Sequence, residues 1–519
     1  MPPAAEKQSV PLTGDTFLEM MKDCSAEITS LCRLALDKTD DNLFALRSFA
    51  LKLNFEAAQV EESLDKYGAK KNSAWCVFRS HIAAVKSFSE AVSKILLINE
   101  MIPRYRLMVI EGDFQNDTLR QISLLGAILT RAAQGVLAES GRLELLPQER
   151  SVFFEPRKDA QFTGTLSADK KAEHVAFPAA IIVQLTTAFL LESDQSQLQK
   201  LTAKLKRSDY AAYIPDVFSE KILRIAEEEF HNLQSMYDTH ISSTDIEHLD
   251  GKLPVIRDHI SLIYTLLEFA TILAHYYERH IMRADHTLGD TIPVQAEELL
   301  IMLVEYAIRY AGLFMQSAQR ICQAVLKRFS EQSVVKVSSP VYRGFHVRPS
   351  TLIAKIVLHY GSEVSLVTSD GSLYDASSPL ELFRVNEKIN AEKRRILFQR
   401  LALHNEIKNP PSEPCAMQEA LKLIFFDLLS AQEITVYGAN IPFGELTPNK
   451  DEDFPEYVKR ILAFLLAQGL IDIRIDTHVQ FVGDKHVLDD IAILAQNGYA
   501  EDNFGNDIML PKELGYLHR

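Results

Sequence analysis

Residues 343–350 read Arg-Gly-Phe-His-Val-Arg-Pro-Ser and open a strongly patterned segment. After them, apolar side chains recur every three to four residues, which predicts an amphipathic helix of about three turns. They are Leu352, Ile353, Ile356 and Val357. Pro349 suits the first turn, where its missing N–H leaves no partner unsatisfied. Gly361 suits the left-handed position after the last turn. The pattern therefore places His346 at or near the N-cap.

The predicted position of His346 has a chemical consequence. The first backbone N–H groups of a helix have no partners within it and form the positive end of its dipole. An anion carried on the imidazole would be held by these amides, and Arg348 could add a charge-assisted hydrogen bond. Because histidine is also a covalent nucleophile, the segment indicates a site for a phosphoryl group. The alternative is a capping histidine without chemistry.

The same residues resemble the active-site signature of the histidine-containing phosphocarrier (HPr) family of the bacterial sugar phosphotransferase system, a Gly-Leu-His-x-Arg-Pro-Ala-like run. The resemblance implies that His346 accepts a phosphoryl group and that Arg348 helps to hold it. It also implies a regulatory phosphorylation site at the start of a second helix, where Ser378 stands before Pro379. The alternative for Ser378 is an ordinary helix N-cap.

The pattern around the motif predicts the order β-α-β-β-α-β-α over residues 332–430, which is the open-faced α+β sandwich of the HPr family. The predicted strands include residues 335–337, 364–368, 372–374 and 395–398, and the predicted closing helix covers residues 416–429. A small α+β unit is predicted to follow at residues 431–519.

The rest of the chain predicts a multidomain protein with an all-α N-terminal region. Helical periodicity fails between residues 139 and 173, which suggests two helical subdomains at residues 1–150 and 151–331. The second would end in a long helix at residues 294–329. That helix could form the seam of a homodimer or pack within a bundle.

Composition restricts the classes of function. The 519 residues carry a formal net charge of −15, which argues against a nucleic-acid or anionic-membrane partner. Residues 332–430 hold 12 Lys and Arg against 10 Asp and Glu, whereas residues 431–519 hold 7 against 15. The motif thus lies in the least acidic part of the chain, which suits an anion.

The same sequence indicates a cytoplasmic protein without membrane insertion. The five cysteines show no CxxC spacing, which favours reduced thiols. The first residues contain no apolar leader. The longest uncharged apolar run, residues 175–191, is short for a membrane span and carries polar side chains.

Other constellations are weaker. Glu228 and His231 have the spacing of a carboxylate-bridged di-iron bundle, but the second such pair is missing, so we expect no metal. The sequence contains neither a P-loop nor a Gly-x-Gly-x-x-Gly run, so we expect no nucleotide cofactor. A phosphoryl donor must then be a separate protein of the phosphotransferase type, which would make this chain a phosphotransfer intermediate between donor and acceptor proteins. It would not be a stand-alone enzyme.

A second hypothesis comes from a different class of function. The chain could be a non-catalytic interaction scaffold that uses a degenerate HPr-like fold for docking. The partner surface implied by the resemblance consists of Val347, Pro379, Leu380 and Phe383.

Overall fold

The computed structural model describes residues 13–37, 43–146, 154, 172–195, 206–214, 217–283, 294–437, 441 and 443–518. The chain divides into two compact units, unit 1 (Met1–Cys322) and unit 2 (Gln323–Arg519). The predicted boundary between residues 150 and 151 lies outside the described residues. The division after Cys322 falls inside a helix, shortly before the predicted boundary at residue 331.

Helices dominate the described part of unit 1. They are α1 (Gly14–Asp37), α2 (Arg47–Lys66), α3 (Cys76–Met101), α4 (Phe114–Arg142), α5 (Pro178–Gln195), α6 (Tyr210–Tyr213), α7 (Glu220–His240), α8 (Leu253–Tyr276), α9 (Ala296–Ile301) and α10 (Arg309–Phe329), the last of which runs on into unit 2. Two π-helical segments, Tyr277–Ile281 and Met302–Ile308, continue α8 and α9. The predicted all-α character holds for these residues.

Apolar faces explain this packing. Along α3, six side chains at three- to four-residue spacing are buried, as expected for a core helix. They are Phe78, Ile82, Val85, Phe88, Val92 and Ile95. The side chain of Asp113 caps α4 by accepting from the backbone N–H of Asn116 at 3.1 Å.

Among the described residues of unit 1, two helical segments are long and apolar enough to cross a bilayer, Phe114–Arg142 and Leu253–Ile281. In their most apolar windows, 39% and 78% of the residues are buried inside the structure. Core helices of soluble proteins pass the same test of length and composition, so neither segment excludes a soluble protein.

Unit 2 combines short strands with helices. In chain order it contains β1 (Gln332–Ser338), α11 (Val347–Tyr360), β2 (Ser365–Val367), β3 (Leu373–Asp375), α12 (Pro379–Leu401), α13 (Asn405–Lys408), α14 (Pro414–Ser430), β4 (Ile434–Val436), α15 (Phe454–Ala467), β5 (Ile471–Ile473), β6 (His478–Asp484) and α16 (Lys485–Gln496).

The larger sheet has the antiparallel order β1-β6-β2-β3. Phe481 of β6 is its centre, because it pairs with Val335 of β1 on one side and with Leu366 of β2 on the other. Phe481 and Leu366 are fully buried. Helix α16 packs against β1 and β6, and α11 packs against both α12 and α16. The strand pairing therefore ties the two ends of unit 2 together.

A second core fills the chain between α12 and β6. Strands β4 and β5 form a two-stranded antiparallel sheet in which Thr435 pairs with Asp472. Helices α14 and α15 and the end of α12 supply the buried apolar residues around it, among them Leu421, Ile461 and Leu397. This part packs around its own hydrophobic centre.

The predicted fold class is wrong. In the described part of unit 2 the strands are short and form two small sheets, and residues 332–430 do not form an open-faced HPr sandwich. Residues 395–398, predicted as the fourth strand, lie in α12, where Leu397 and Leu401 continue a helical spacing and are both buried. The predicted closing helix belongs to α14 and to the second core. The larger sheet takes strands from both sides of the predicted boundary at residue 430.

The chain after α16 returns to α11 and to the larger sheet. Asp490 of α16 accepts hydrogen bonds from the hydroxyls of Tyr360, at 2.8 Å, and Tyr516, at 2.6 Å. The hydroxyl of Tyr499 donates to the backbone carbonyl of Ser338 at 2.7 Å. The bond from Tyr499 holds the C-terminal segment, residues 497–510, against the end of β1, and residues 498–500 also pack against α11.

Candidate functional site

His346 is the N-cap of α11, as its sequence position predicts. Its backbone is extended, with φ −79° and ψ −166°, and its Nδ1 accepts a hydrogen bond from the backbone N–H of Arg348 at 3.3 Å. The hydroxyl of Ser350 donates to the carbonyl of Phe345 at 3.0 Å, which fixes the chain entering the helix. Gly361 ends α11 in the left-handed conformation, with φ 63°. The predicted helix and both of its ends are confirmed.

Helix α12 holds the turn that precedes His346. The Asn386 side chain accepts from the backbone N–H of Phe345 and donates to the carbonyl of Arg343, both at 3.0 Å. Gly344 has φ 64°, and a Cβ placed there would lie 2.0 Å from the Asn386 side-chain oxygen. Only glycine fits this approach, so the Gly344–Asn386 contact determines where the imidazole lies.

Charged groups converge on the imidazole. The Nε2 atom of His346 lies 3.2 Å from a carboxylate oxygen of Glu501. The Arg348 guanidinium lies 3.8 Å from the same oxygen and 2.5 Å from the carboxylate of Asp507. The His346 side chain is 23% exposed, whereas that of Glu501 is 3% exposed. The ring is therefore half-buried, with Nδ1 towards the helix and Nε2 towards a buried acid.

Three polar atoms in this cluster lack hydrogen-bond partners among the described residues. They are Nε2 of His346, Nη1 of Arg348 and Oε1 of Glu501. An unsatisfied buried polar group is costly and rare in folded proteins. Three of them at one place indicate a site that is built for something other than stability.

Burial sets the protonation of the pair. Burial lowers the pKa of His346, and the nearby Arg343 and Arg348 lower it further. Burial raises the pKa of Glu501 to about 7, and Asp502 and Asp507 add to this while Arg348 opposes it. Both directions oppose a fixed ion pair, although the 3.2 Å separation would permit one. Desolvation disfavours both the imidazolium and the carboxylate. The imidazole of His346 is therefore neutral near pH 7.

The other predicted residues are a helix cap and a set of apolar side chains. The Ser378 side chain accepts from the backbone N–H of Glu381 at 3.4 Å and caps α12. Val347 is 70% exposed and Leu380 is 60% exposed, while Pro379 and Phe383 are partly exposed. A largely apolar depression of about 470 Å³ lies beside Arg348. The surface around the site is therefore open and apolar.

In unit 1, the described residues contain no group of three or more His, Cys, Asp and Glu side chains that could hold a metal ion. The ring of His231 lies 5.4 Å from that of Tyr264.

Sequence reasoning missed Glu501 and Asp507. They are far from His346 along the chain, and nothing in a single acidic residue predicts a buried carboxylate. The only local signal is the turn that follows, in which the Asp502 side chain accepts from the backbone N–H groups of Phe504 and Asn506. The position of the acid depends on the tertiary fold.

No protein-family model matches the chain, and no curated protein and no solved structure matches it. The geometry and charges around His346 are therefore the basis for the proposed function.

Proposed function

We propose that this protein is an HPr-related phosphocarrier, or a regulatory protein linked to a phosphorelay, that accepts a phosphoryl group on Nδ1 of His346. The observation that carries the proposal is the hydrogen bond from the Arg348 backbone N–H to that atom. It places a nucleophilic nitrogen at a helix N-terminus, where backbone amides and the helix dipole favour an anion.

The same bond assigns the tautomer. Because Nδ1 accepts a hydrogen bond from an amide N–H, it carries the lone pair, and a neutral ring holds its hydrogen on Nε2. The lone pair of Nδ1 would attack the phosphorus of the donor, and the bond from phosphorus to the donor would break with its electron pair leaving on the donor. The phosphoryl oxygens would then replace the imidazole nitrogen as acceptors for the amides of the first turn.

The Arg348 guanidinium can exchange its partner Asp507 for a phosphoryl group on His346. Its partner Asp507 has an 84% exposed side chain, so the ion pair between them lies at the surface. Exposed pairs of this kind contribute at most about 1 kcal/mol. A phosphoryl group, with more charge and three acceptor oxygens, would displace Asp507 from the guanidinium at little cost.

The proposal requires partners. The donor would be a separate protein of the phosphotransferase type, and the acceptor another protein, with the exchange taking place in the cytoplasm. Neither nucleic acid nor membrane insertion is part of the proposal. The apolar surface formed by Val347 and Leu380 would meet these partners.

The alternative is a non-catalytic scaffold that uses the same surface for docking. The observation that favours it is the limited exposure of the His346 side chain, 23%, which would restrict the approach of a donor. In that case His346 would serve only as the N-cap of α11.

Intact-mass measurement separates the two functions. The full-length protein is incubated with phosphoenolpyruvate and the general phosphotransferase enzyme, then analysed under alkaline conditions. We expect the mass of one phosphoryl group, its loss on acidification, and no gain in His346→Ala. His478→Ala, which removes an exposed histidine of β6, is the matched control and should behave as wild type. No gain in wild type with several donors would favour the scaffold.

A further inference from the structure

Glu501 combines features that stability does not explain. The residue is 4% exposed, and its Oε1 atom has no hydrogen-bond partner within the described chain. Its two contacts with basic groups are to the imidazole of His346 and the guanidinium of Arg348. Burying a carboxyl group without full pairing is unfavourable, so a different role must account for it.

The backbone before Glu501 is strained. Tyr499 and Ala500 both adopt the left-handed conformation, with φ 58° and 66°, which residues with a Cβ rarely adopt. Tyr499 is nevertheless held by the hydrogen bond from its hydroxyl to Ser338 of β1. Strain of this kind persists where the fold over-determines a functional position. Here it directs the Glu501 side chain inward to the imidazole.

We infer that Glu501 is a positioning residue for His346: its carboxylate accepts a hydrogen bond from the Nε2–H group, keeps Nδ1 free as the nucleophile, and neutralises the charge that the ring gains. The inference rests on the proposed function. It deepens that function by adding an orienting acid from a distant part of the chain, in the way that a carboxylate orients a catalytic histidine.

The charges balance in this scheme. When Nδ1 bonds to phosphorus, the bond from phosphorus to the donor breaks and the donor keeps that electron pair. Nε2 retains its hydrogen, so the ring becomes a cation. The carboxylate 3.2 Å away compensates for it. When the phosphoryl group leaves for an acceptor, the ring becomes neutral again and the carboxylate is unchanged.

The scheme predicts a pH dependence. The titratable and charged groups that face Glu501 are His346 and Arg348 at the start of α11, and Asp502 and Asp507 on its own segment. His346 is in turn influenced by Arg343 and by Asp472 of β5. Because the pKa of Glu501 is raised to about 7, the carboxylate form grows as the pH rises through neutrality. The phosphorylation rate should rise with it.

Glu501→Gln tests the inference in two ways. With a phosphorylated donor protein, we expect the phosphorylation rate of wild type to rise as the pH increases through about 7. The variant should show no such rise, and its rate at the alkaline end should be about tenfold lower. Glu501→Asp should partly restore the rise, whereas Glu513→Gln, which removes an exposed glutamate further along the chain, should retain it. A wild-type pH profile in Glu501→Gln would overturn the inference.

The second readout needs no donor, so it also distinguishes failure of the inference from failure of the proposed function. Long-range ¹H–¹⁵N spectra of the histidine rings, assigned with His346→Ala, report the tautomer and titration of His346. We expect the hydrogen on Nε2 in wild type, and a titration step near neutral pH that disappears in Glu501→Gln. An unchanged titration in the variant would refute the role of Glu501, even if His346 is phosphorylated.

Discussion

Helices α11 and α12 begin in the same way, but the groups around their first turns differ. Each follows an N-cap side chain that accepts a backbone N–H, His346 in one and Ser378 in the other, and each has a proline in its first turn. Around Ser378, the first turn has one acidic residue, Glu381, which pairs with Arg384 in the same helix. Around His346, the guanidinium of Arg348 in the first turn is joined by a buried acid, Glu501, from a distant part of the chain.

This difference separates a structural cap from a functional one. A serine hydroxyl satisfies an orphan amide without burying charge. The N-terminus of α11 satisfies the same need and also gathers Glu501 and strained backbone, neither of which a helix requires in order to begin. The extra groups at α11 therefore make it the candidate functional terminus, and substitutions at the starts of both helices test the proposed difference.

The largest effect should come from making the two caps alike. His346→Ser gives α11 the cap that α12 has, so we expect the helix to persist and the thermal unfolding of unit 2 to change little. Phosphorylation should be lost completely, because the nucleophilic nitrogen is gone. Circular dichroism and intact-mass measurement on the same sample check both halves. A phosphorylated His346→Ser protein would show that another residue is the acceptor.

The next effect concerns stability and pH. The raised pKa of Glu501 means that the folded state binds its proton more tightly than the unfolded chain does, so Glu501 destabilises the fold as the pH rises from about 4.5 to about 7. Glu501→Gln removes this cost. We expect the variant to be more stable than wild type at pH 8 by up to about 3 kcal/mol, and equally stable at pH 4.

Urea titrations at the two pH values measure this difference. Glu513→Gln is the control, because this exposed acid should change the free energy of unfolding by less than about 0.5 kcal/mol. A Glu501→Gln protein that is less stable than wild type at pH 8 would mean that the carboxylate stabilises the fold.

Removal of the guanidinium at α11 should have a smaller effect. Arg348→Ala is expected to lower the phosphorylation rate about tenfold, the equivalent of one charge-assisted hydrogen bond of about 1.4 kcal/mol. Arg384→Ala, which removes the arginine near the start of α12, is the matched control and should leave the rate unchanged. Equal rates for both variants and wild type would exclude a role for Arg348 in holding the phosphoryl group.

The smallest effect should come from Ser378. Ser378→Ala removes one N-cap hydrogen bond, which costs about 1 kcal/mol of unfolding free energy, and it should leave phosphorylation of His346 intact. Urea denaturation and the intact-mass assay measure the two. If Ser378→Ala abolished phosphorylation, the distinction between the two caps would fail.

Local features were predictable from the sequence because short-range rules govern them. The start of α11 at His346, its end at Gly361 and the cap of α12 at Ser378 follow from residues within a few positions of each other. They were correctly placed without knowledge of the fold. The candidate nucleophile and Arg348 come from the same local stretch.

The wrong predictions concern positions that are determined by residues distant in the sequence. Residues 395–398 were expected to supply a strand, but Leu397 and Leu401 fit a buried helical face, and Val479 and Phe481 of β6 fill the position beside β1. Local β-propensity could not reveal that a later segment packs better there. Glu501 was missed for the same reason.

We propose above that Nδ1 of His346 is a phosphoryl acceptor held at the N-terminus of α11. Phosphorus and histidine-ring NMR of the full-length protein, after reaction with the phosphorylated donor protein, tests this directly. We expect a single acid-labile phosphoryl group bonded to Nδ1 of His346. A phosphoryl group on Nε2 or on any other residue, or none after reaction with several donors, would contradict it.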